Sequence, residues 1–123
     1  MTARYRPTPD VTTAMRSPYS SEKEFQALVI DLAQRHGFRV YHTFNSRRSA
    51  AGYPDVTLVR AGRLLFLELK SKTGRVTDEQ KEWITALQQA RVEAYVMRST
   101  GDRVEDAKGI ADVLREKPKA VAA

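Results

Sequence analysis

Asp55 and Glu68 stand on two consecutive runs of strand-forming residues, 55–60 and 63–70, with only Ala61 and Gly62 between them. Folding these runs into a hairpin about Ala61 and Gly62 pairs Arg60 with Arg63 and, counting outward, Asp55 with Glu68. Side chains directly opposed across an antiparallel pair have Cβ atoms about 4.5–5.5 Å apart on one face. Lys70, two residues past Glu68, points to the same face. A two- or four-residue loop keeps this arrangement, whereas a three-residue loop with a glycine bulge sends Asp55 to the opposite face. Two carboxylates at that separation, in an effective dielectric near 20, repel by about 3 kcal/mol. A shared proton, the Lys70 ammonium or a divalent cation relieves the repulsion. Oxygen ligands with water completing the shell suit Mg²⁺ or Mn²⁺. Such an ion polarises a phosphate and acidifies water, which is the chemistry of phosphodiester hydrolysis, with Lys70 placed to orient the attacking water or to stabilise charge. A single acid in a strand is ordinarily a solvated edge position. From the residues alone, a metal site and a solvated pair both remain open.

The elements that must carry these residues are legible. Ser21 and Glu24 stand in the order of a capping box, and Phe25, Leu28, Val29, Leu32 and Ala33 follow at helical spacing until Gly37. Residues 38–43 alternate as a strand. The run 63–69 is apolar at both parities, the pattern of a strand covered on both faces, and Glu68 interrupts it. Thr77 and Gln80 form a second capping box, with Trp83, Ile84 and Leu87 as the apolar stripe of the helix they open. Trp83 is therefore read as core. Residues 93–98 form a last strand and residues 104–114 a final helix. The order α-β-β-β-α-β-α predicts an α/β domain, a small mixed β-sheet flanked by helices. A third carboxylate for the site comes from the first helix. Glu22 extends the stripe of Phe25, Gln26 and Val29 toward the sheet and is preferred. Glu24, on a polar face and already explained by its cap, is the alternative.

Composition narrows the class. The chain has 123 residues, 41% hydrophobic and 29% charged, which is room for one domain with an ordinary core. With 21 Lys and Arg against 15 Asp and Glu, the net charge of +6 favours a polyanionic partner, nucleic acid before membrane. There is no cysteine and only His36 and His42, which excludes disulfide frameworks, thiolate zinc sites and multi-histidine metal centres. No apolar run approaches a membrane span, and the expected setting is cytoplasmic. Residues 1–19, with Pro7, Pro9 and Pro18, read as a flexible basic arm, residues 20–116 as the domain, and 117–123 as a flexible tail. Arg47 and Arg48, in the polar loop entering the Asp55 strand, are expected to contact phosphate without reading sequence. Lys72 and Arg75 extend the basic surface, and His42 is a further candidate for contact with DNA.

These residues resemble the PD-(D/E)XK nuclease superfamily. Pro54-Asp55, then Glu68-Leu69-Lys70 after 12 intervening residues, reproduces its P-D…E-x-K signature. The longer run is more specific. It comprises an E-x-x-F-Q helix, Tyr41-His42-Thr43, Asn45-Ser46-Arg47-Arg48-Ser49, Gly52-Tyr53-Pro54-Asp55, Leu67-Glu68-Leu69-Lys70, and Thr77-x-x-Gln80-x-x-Trp83. In that order it resembles the VRR-NUC family, in its small stand-alone form. The resemblance implies a restriction-endonuclease-like core and a Mg²⁺- or Mn²⁺-dependent DNA endonuclease. It implies Glu22, Asp55, Glu68 and the Leu69 carbonyl as metal ligands, Lys70 as the catalytic lysine, and Gln26 and Gln80 as accessory groups. Small members resemble Holliday-junction resolvases, which implies branched DNA as substrate and a homodimer. It also suggests a phage or mobile-element setting, by analogy. Two alternatives stand beside it: a non-catalytic basic DNA-binding module on the same fold, and a nuclease preferring RNA, flaps or free ends.

Overall fold

Capping side chains set the helix boundaries. The Ser21 hydroxyl accepts the Glu24 amide at 3.1 Å and so starts α1 (Glu22–Arg35). The Glu24 carboxylate takes the Ser21 hydroxyl at 3.2 Å rather than a backbone amide, so the reciprocal half of the expected box is not made. The computed structural model describes Tyr19, residues 21–43 and residues 50–116. The proposed arm up to residue 18, the tail 117–123, and Arg47 and Arg48 lie outside the described residues. After α1 come β1 (Arg39–His42), β2 (Val56–Arg60), β3 (Arg63–Lys70), α2 (Asp78–Gln89), β4 (Glu93–Arg98) and α3 (Arg103–Arg115), in the order read from the sequence. At α2 the capping box is complete: Thr77 Oγ1 accepts the Gln80 amide at 3.1 Å, and Gln80 Oε1 accepts the Thr77 amide at 2.8 Å.

The sheet has the strand order β1-β2-β3-β4. β2 pairs antiparallel with both β1 and β3, while β4 runs parallel to β3. The hairpin register is the counted one, with Arg60 opposite Arg63 and Val56 opposite Leu67. Gly62, at φ 82°, takes the left-handed conformation that closes this two-residue turn, one that a side chain would strain.

Strand alternation then sorts the side chains. Val56, Leu58, Leu65, Leu67 and Leu69 face one side and meet Phe25, Val29 and Ala33 of α1 and Ile110 and Leu114 of α3, forming the core. The opposite side carries Leu64, Phe66, Glu68 and Lys70 of β3, with α2 lying across part of it. The expectation that β3 is covered on both faces holds for one half of the strand only. Leu64 is 40% exposed, whereas Glu68 is 1% and Lys70 8% exposed. α2 packs mainly on β4, and its cover of β3 falls where the acids are, leaving Leu64 open.

Two buried polar groups on the core side are well supplied with partners. Arg63 spans the far end of the sheet, forking onto Glu93 at 2.9 and 3.0 Å and donating to the carbonyls of Val113 and Glu116 at 2.6 and 3.0 Å. Asp106, in the first turn of α3, accepts the Ser99 hydroxyl, and at 2.8 Å both the amide and the hydroxyl of Thr100. Tyr19, which the sequence places in the arm, packs against the core, with the Arg103 guanidinium 4.6 Å from its ring centroid. Among the described residues no helix is long and apolar enough to cross a membrane. Because Arg63 is a buried cation with every arm engaged, Arg63→Ala is expected to lower unfolding stability by about 3–5 kcal/mol, read from urea denaturation at pH 7.

Candidate active site

Where β2 gives way to the preceding loop, hairpin pairing stops and a side chain takes over. Ladder hydrogen bonds fall on alternate pairs, so after Val56–Leu67 the next bonded pair would be Pro54–Leu69. Pro54 has no N–H to give, and its carbonyl accepts the Thr43 hydroxyl instead, at 2.9 Å. Leu69 N–H donates to Asp55 Oδ2 at 2.7 Å. The Asp55 backbone carbonyl meanwhile accepts the Thr43 amide at 2.9 Å, which fixes the residue from the β1 side. The carboxylate thus substitutes for a strand carbonyl. In a strand the N–H and C=O of one residue point to the same side, so the Leu69 carbonyl is also aimed at this opening.

Glu68 lies beside Asp55 and is almost fully buried. Its Oε2 accepts Gln80 Nε2 at 2.7 Å and lies 3.8 Å from Lys70 Nζ. Its Oε1 is buried with no hydrogen-bond partner. Loss of solvent, and next the neighbouring Asp55 carboxylate, push the Glu68 carboxyl up to about 8 against the opposing pull of Lys70, with further pushes from a hydrogen bond between the Glu68 and Asp55 carboxyls and from the charge of Glu22. Gln80 therefore serves two purposes with one amide: its oxygen completes the α2 cap and its nitrogen holds Glu68.

The two candidate acids of α1 face different neighbours. The charge of Glu22 acts on Glu68. Glu24 is occupied with Ser21, and its charge acts on Tyr19. Of the two, Glu22 is the one whose charge is felt at Glu68. It is exposed, and among the described residues no three His, Asp or Glu side chains are gathered as a metal cage. Gln26 and His42 are joined to each other, Nε2 to Nε2, at 2.9 Å, so α1 and β1 meet through the side chains suggested for accessory and DNA contact. Lys72 and Arg75 are exposed on the segment leaving β3. Arg98 anchors that segment through the carbonyls of Ser71, at 3.0 Å, and Gly74.

Trp83 is not the core residue that its spacing suggests. It is half-buried, and its indole Nε1 donates to the Ala51 carbonyl at 3.1 Å, on the loop that leads to Asp55. Of the α2 stripe only Ile84 is buried. The signal available in the sequence was the indole N–H itself, a donor that seeks an acceptor and so draws the ring to the edge of a core.

The oxygens brought together are two carboxylates and a backbone carbonyl, a hard donor set that fits Mg²⁺ or Mn²⁺, and the unpartnered Glu68 Oε1 is the atom a cation would satisfy. Without a divalent ion, the raised pKa has a definite consequence. The folded state holds the Glu68 proton where the unfolded chain has released it, so stability falls as pH rises from about 4.5 toward 8. In EDTA the melting temperature is expected to decline across that window, and Glu68→Gln, which keeps the acceptor for Gln80, is expected to flatten the decline.

Comparison with known proteins identifies the family. The VRR-NUC domain model matches residues 14–101, well over half of the chain. A search of curated proteins gives no significant match. Among solved structures the chain is similar to a VRR-NUC domain protein at 22% identity and TM-score 0.59, covering 79% of this chain and 87% of that one. It also matches the Archaeoglobus fulgidus Holliday junction resolvase Hjc at 23% identity and TM-score 0.47, covering 63% of this chain and 65% of that one. The fold is of the PD-(D/E)XK nuclease type, with a four-stranded mixed sheet between helices. On the family match and the architecture together, the chain belongs to the VRR-NUC domain family, a family of nucleases.

Proposed function

We propose that the chain is a divalent-metal-dependent endodeoxyribonuclease acting on branched DNA such as four-way junctions. The observation that carries this reading is the pairing of Asp55 with a buried Glu68 that keeps one oxygen unpartnered beside Lys70. Asp55, Glu68, the Leu69 carbonyl and Glu22 from α1 are the groups assigned to hold Mg²⁺ or Mn²⁺. When bound, the ion supplies Lewis acidity, drawing charge from a phosphate oxygen and making water acidic enough to attack near neutral pH. Lys70, buried to 8% exposure with its ammonium at the carboxylate pair, is assigned to orient the attacking water and to stabilise charge developing on the phosphate. Gln80 keeps Glu68 in one rotamer, and Gln26 with His42 lines the substrate side. Lys72 and Arg75 supply sequence-independent contacts to the DNA backbone, as do Arg47 and Arg48.

Branched DNA is preferred over RNA, flaps and free ends because the motif run resembles the small stand-alone members of the family. Two copies related by a two-fold axis would present two sites to symmetry-related strands. A basic DNA-binding module without catalysis accounts for the +6 charge but leaves the opposed acids unexplained.

The test is digestion of a four-way junction with Mn²⁺ or Mg²⁺, beside linear duplex, flap and RNA substrates. Asp55→Ala, Glu68→Ala and Lys70→Ala are each expected to lower cleavage by about 10²-fold or more while remaining folded. Glu22→Ala is expected to fall with them and Glu24→Ala to stay near wild type. Undiminished cleavage by Asp55→Ala would sink the site assignment. Salt-sensitive junction binding with no cleavage in either metal would favour the non-catalytic module.

A further inference from the structure

α2 reaches the two carboxylates by separate routes. The direct route is Gln80 to Glu68, at 2.7 Å. The indirect route runs through residues 50–55, whose course decides where Asp55 lies. Trp83, one turn after Gln80, holds that loop by its bond to the Ala51 carbonyl at 3.1 Å. Its ring also takes an edge-on contact from Tyr53, at 4.9 Å between centroids, and Tyr53 in turn meets Phe66 of β3. Gly52 lies backbone to backbone against the start of α2. A Cβ there would stand 2.5 Å from the Glu79 carbonyl carbon and 2.7 Å from the Gln80 amide nitrogen, and its φ of +84° disfavours any side chain as well. The first two turns of α2 therefore touch both the acid on β3 and the loop that delivers the acid preceding β2.

We infer that Trp83 and Gly52 are positioning residues which set the spacing of Asp55 and Glu68, and through it the affinity for the divalent ion. The inference rests on the metal-site reading given above. Neither residue has a group to offer a cation or a phosphate: the indole N–H is spent on Ala51, and Gly52 has no side chain. Their effect is exerted through where Asp55 comes to rest against Leu69 N–H. Residues that orient metal ligands in this way commonly change metal affinity by about 10–100-fold when altered.

The experiment is titration of Mn²⁺ into the purified chain by calorimetry, with melting temperature measured alongside. Trp83→Phe keeps an aromatic ring on the Tyr53 side and removes the N–H with part of the indole. It is expected to bind Mn²⁺ about ten-fold more weakly with little change in melting temperature, and its cleavage is expected to recover as Mn²⁺ is raised to saturation. Gly52→Ala is expected to weaken binding further. Leu87→Ala, farther along the same helix, is expected to lower the melting temperature and leave Mn²⁺ affinity alone. Wild-type Mn²⁺ affinity in Trp83→Phe, or an equal loss in Leu87→Ala, would overturn the inference, even if Gly52→Ala fails to fold. Glu68→Ala separates the two levels. If it binds Mn²⁺ as wild type does, the metal-site reading has failed. If it loses binding while Trp83→Phe does not, only the positioning role has failed.

Discussion

A bond between a carboxylate and a strand amide fixes the rest of the site. Because Pro54 turns its carbonyl to Thr43, Leu69 N–H would be left without a partner at the point where β2 and β3 separate. Asp55 Oδ2 meets it at 2.7 Å. That bond sets the rotamer of Asp55, aligns it beside Glu68, and leaves the Leu69 carbonyl aimed at the same opening. Charge-assisted bonds of this kind are roughly twice as strong as neutral ones, so the acid is held without help from a metal. The ending of the hairpin and the beginning of the site are the same event.

The two ends of the sheet handle buried charge in opposite ways. Arg63 is covered completely, yet each arm of its guanidinium finds an acceptor, and its role is to tie β3 to β4 and the end of α3. Glu68 is covered as completely, yet one of its oxygens is left bare. A buried polar atom without a partner costs more than an average hydrogen bond returns, so Glu68 Oε1, which shares this state only with the Tyr19 hydroxyl among the described residues, is kept for a reason. The reason proposed is a cation. Placement of α2 sharpens the contrast, since it leaves Leu64 open and closes over Glu68, lowering the local dielectric only where charge has to act strongly.

Much of the fold could be read from the chain because its signals are local and agree with one another. Thr77 with Gln80 marks a helix start, Ala61-Gly62 a two-residue turn, and the parity of the hairpin follows by counting. That parity put Asp55 and Glu68 on one face, and the structure keeps them together, though through a side-chain bond and not a continued ladder. Local pattern misled where tertiary packing decides. The apolar run of β3 suggests cover on both faces, but the placement of α2, mainly over β4, determines how far that cover extends. Trp83 fits the core stripe of its helix by spacing, yet its one polar atom draws it to the Ala51 carbonyl. Glu22 and Glu24 differ by only two positions, and stripe geometry alone favoured the former. What distinguishes them in three dimensions is that the Ser21 hydroxyl occupies one and leaves the other to act on Glu68.

The identity of residue 80 brings these levels together. At the third position of a helix, glutamate completes a capping box as well as glutamine does, and its charge suits the positive helix N-terminus. Judged by α2 alone, glutamate would be at least as good. Next to Glu68, however, it would add a carboxylate beside one already pushed toward protonation and would have no hydrogen to donate. Glutamine divides the work, its oxygen turned to the Thr77 amide and its nitrogen to Glu68 Oε2. Local helix chemistry permits the residue, and the electrostatics of the neighbouring strand select it. An uncharged member in a capping box beside an acidic strand is thus a trace, in the sequence itself, of where the negative charge of this fold is concentrated.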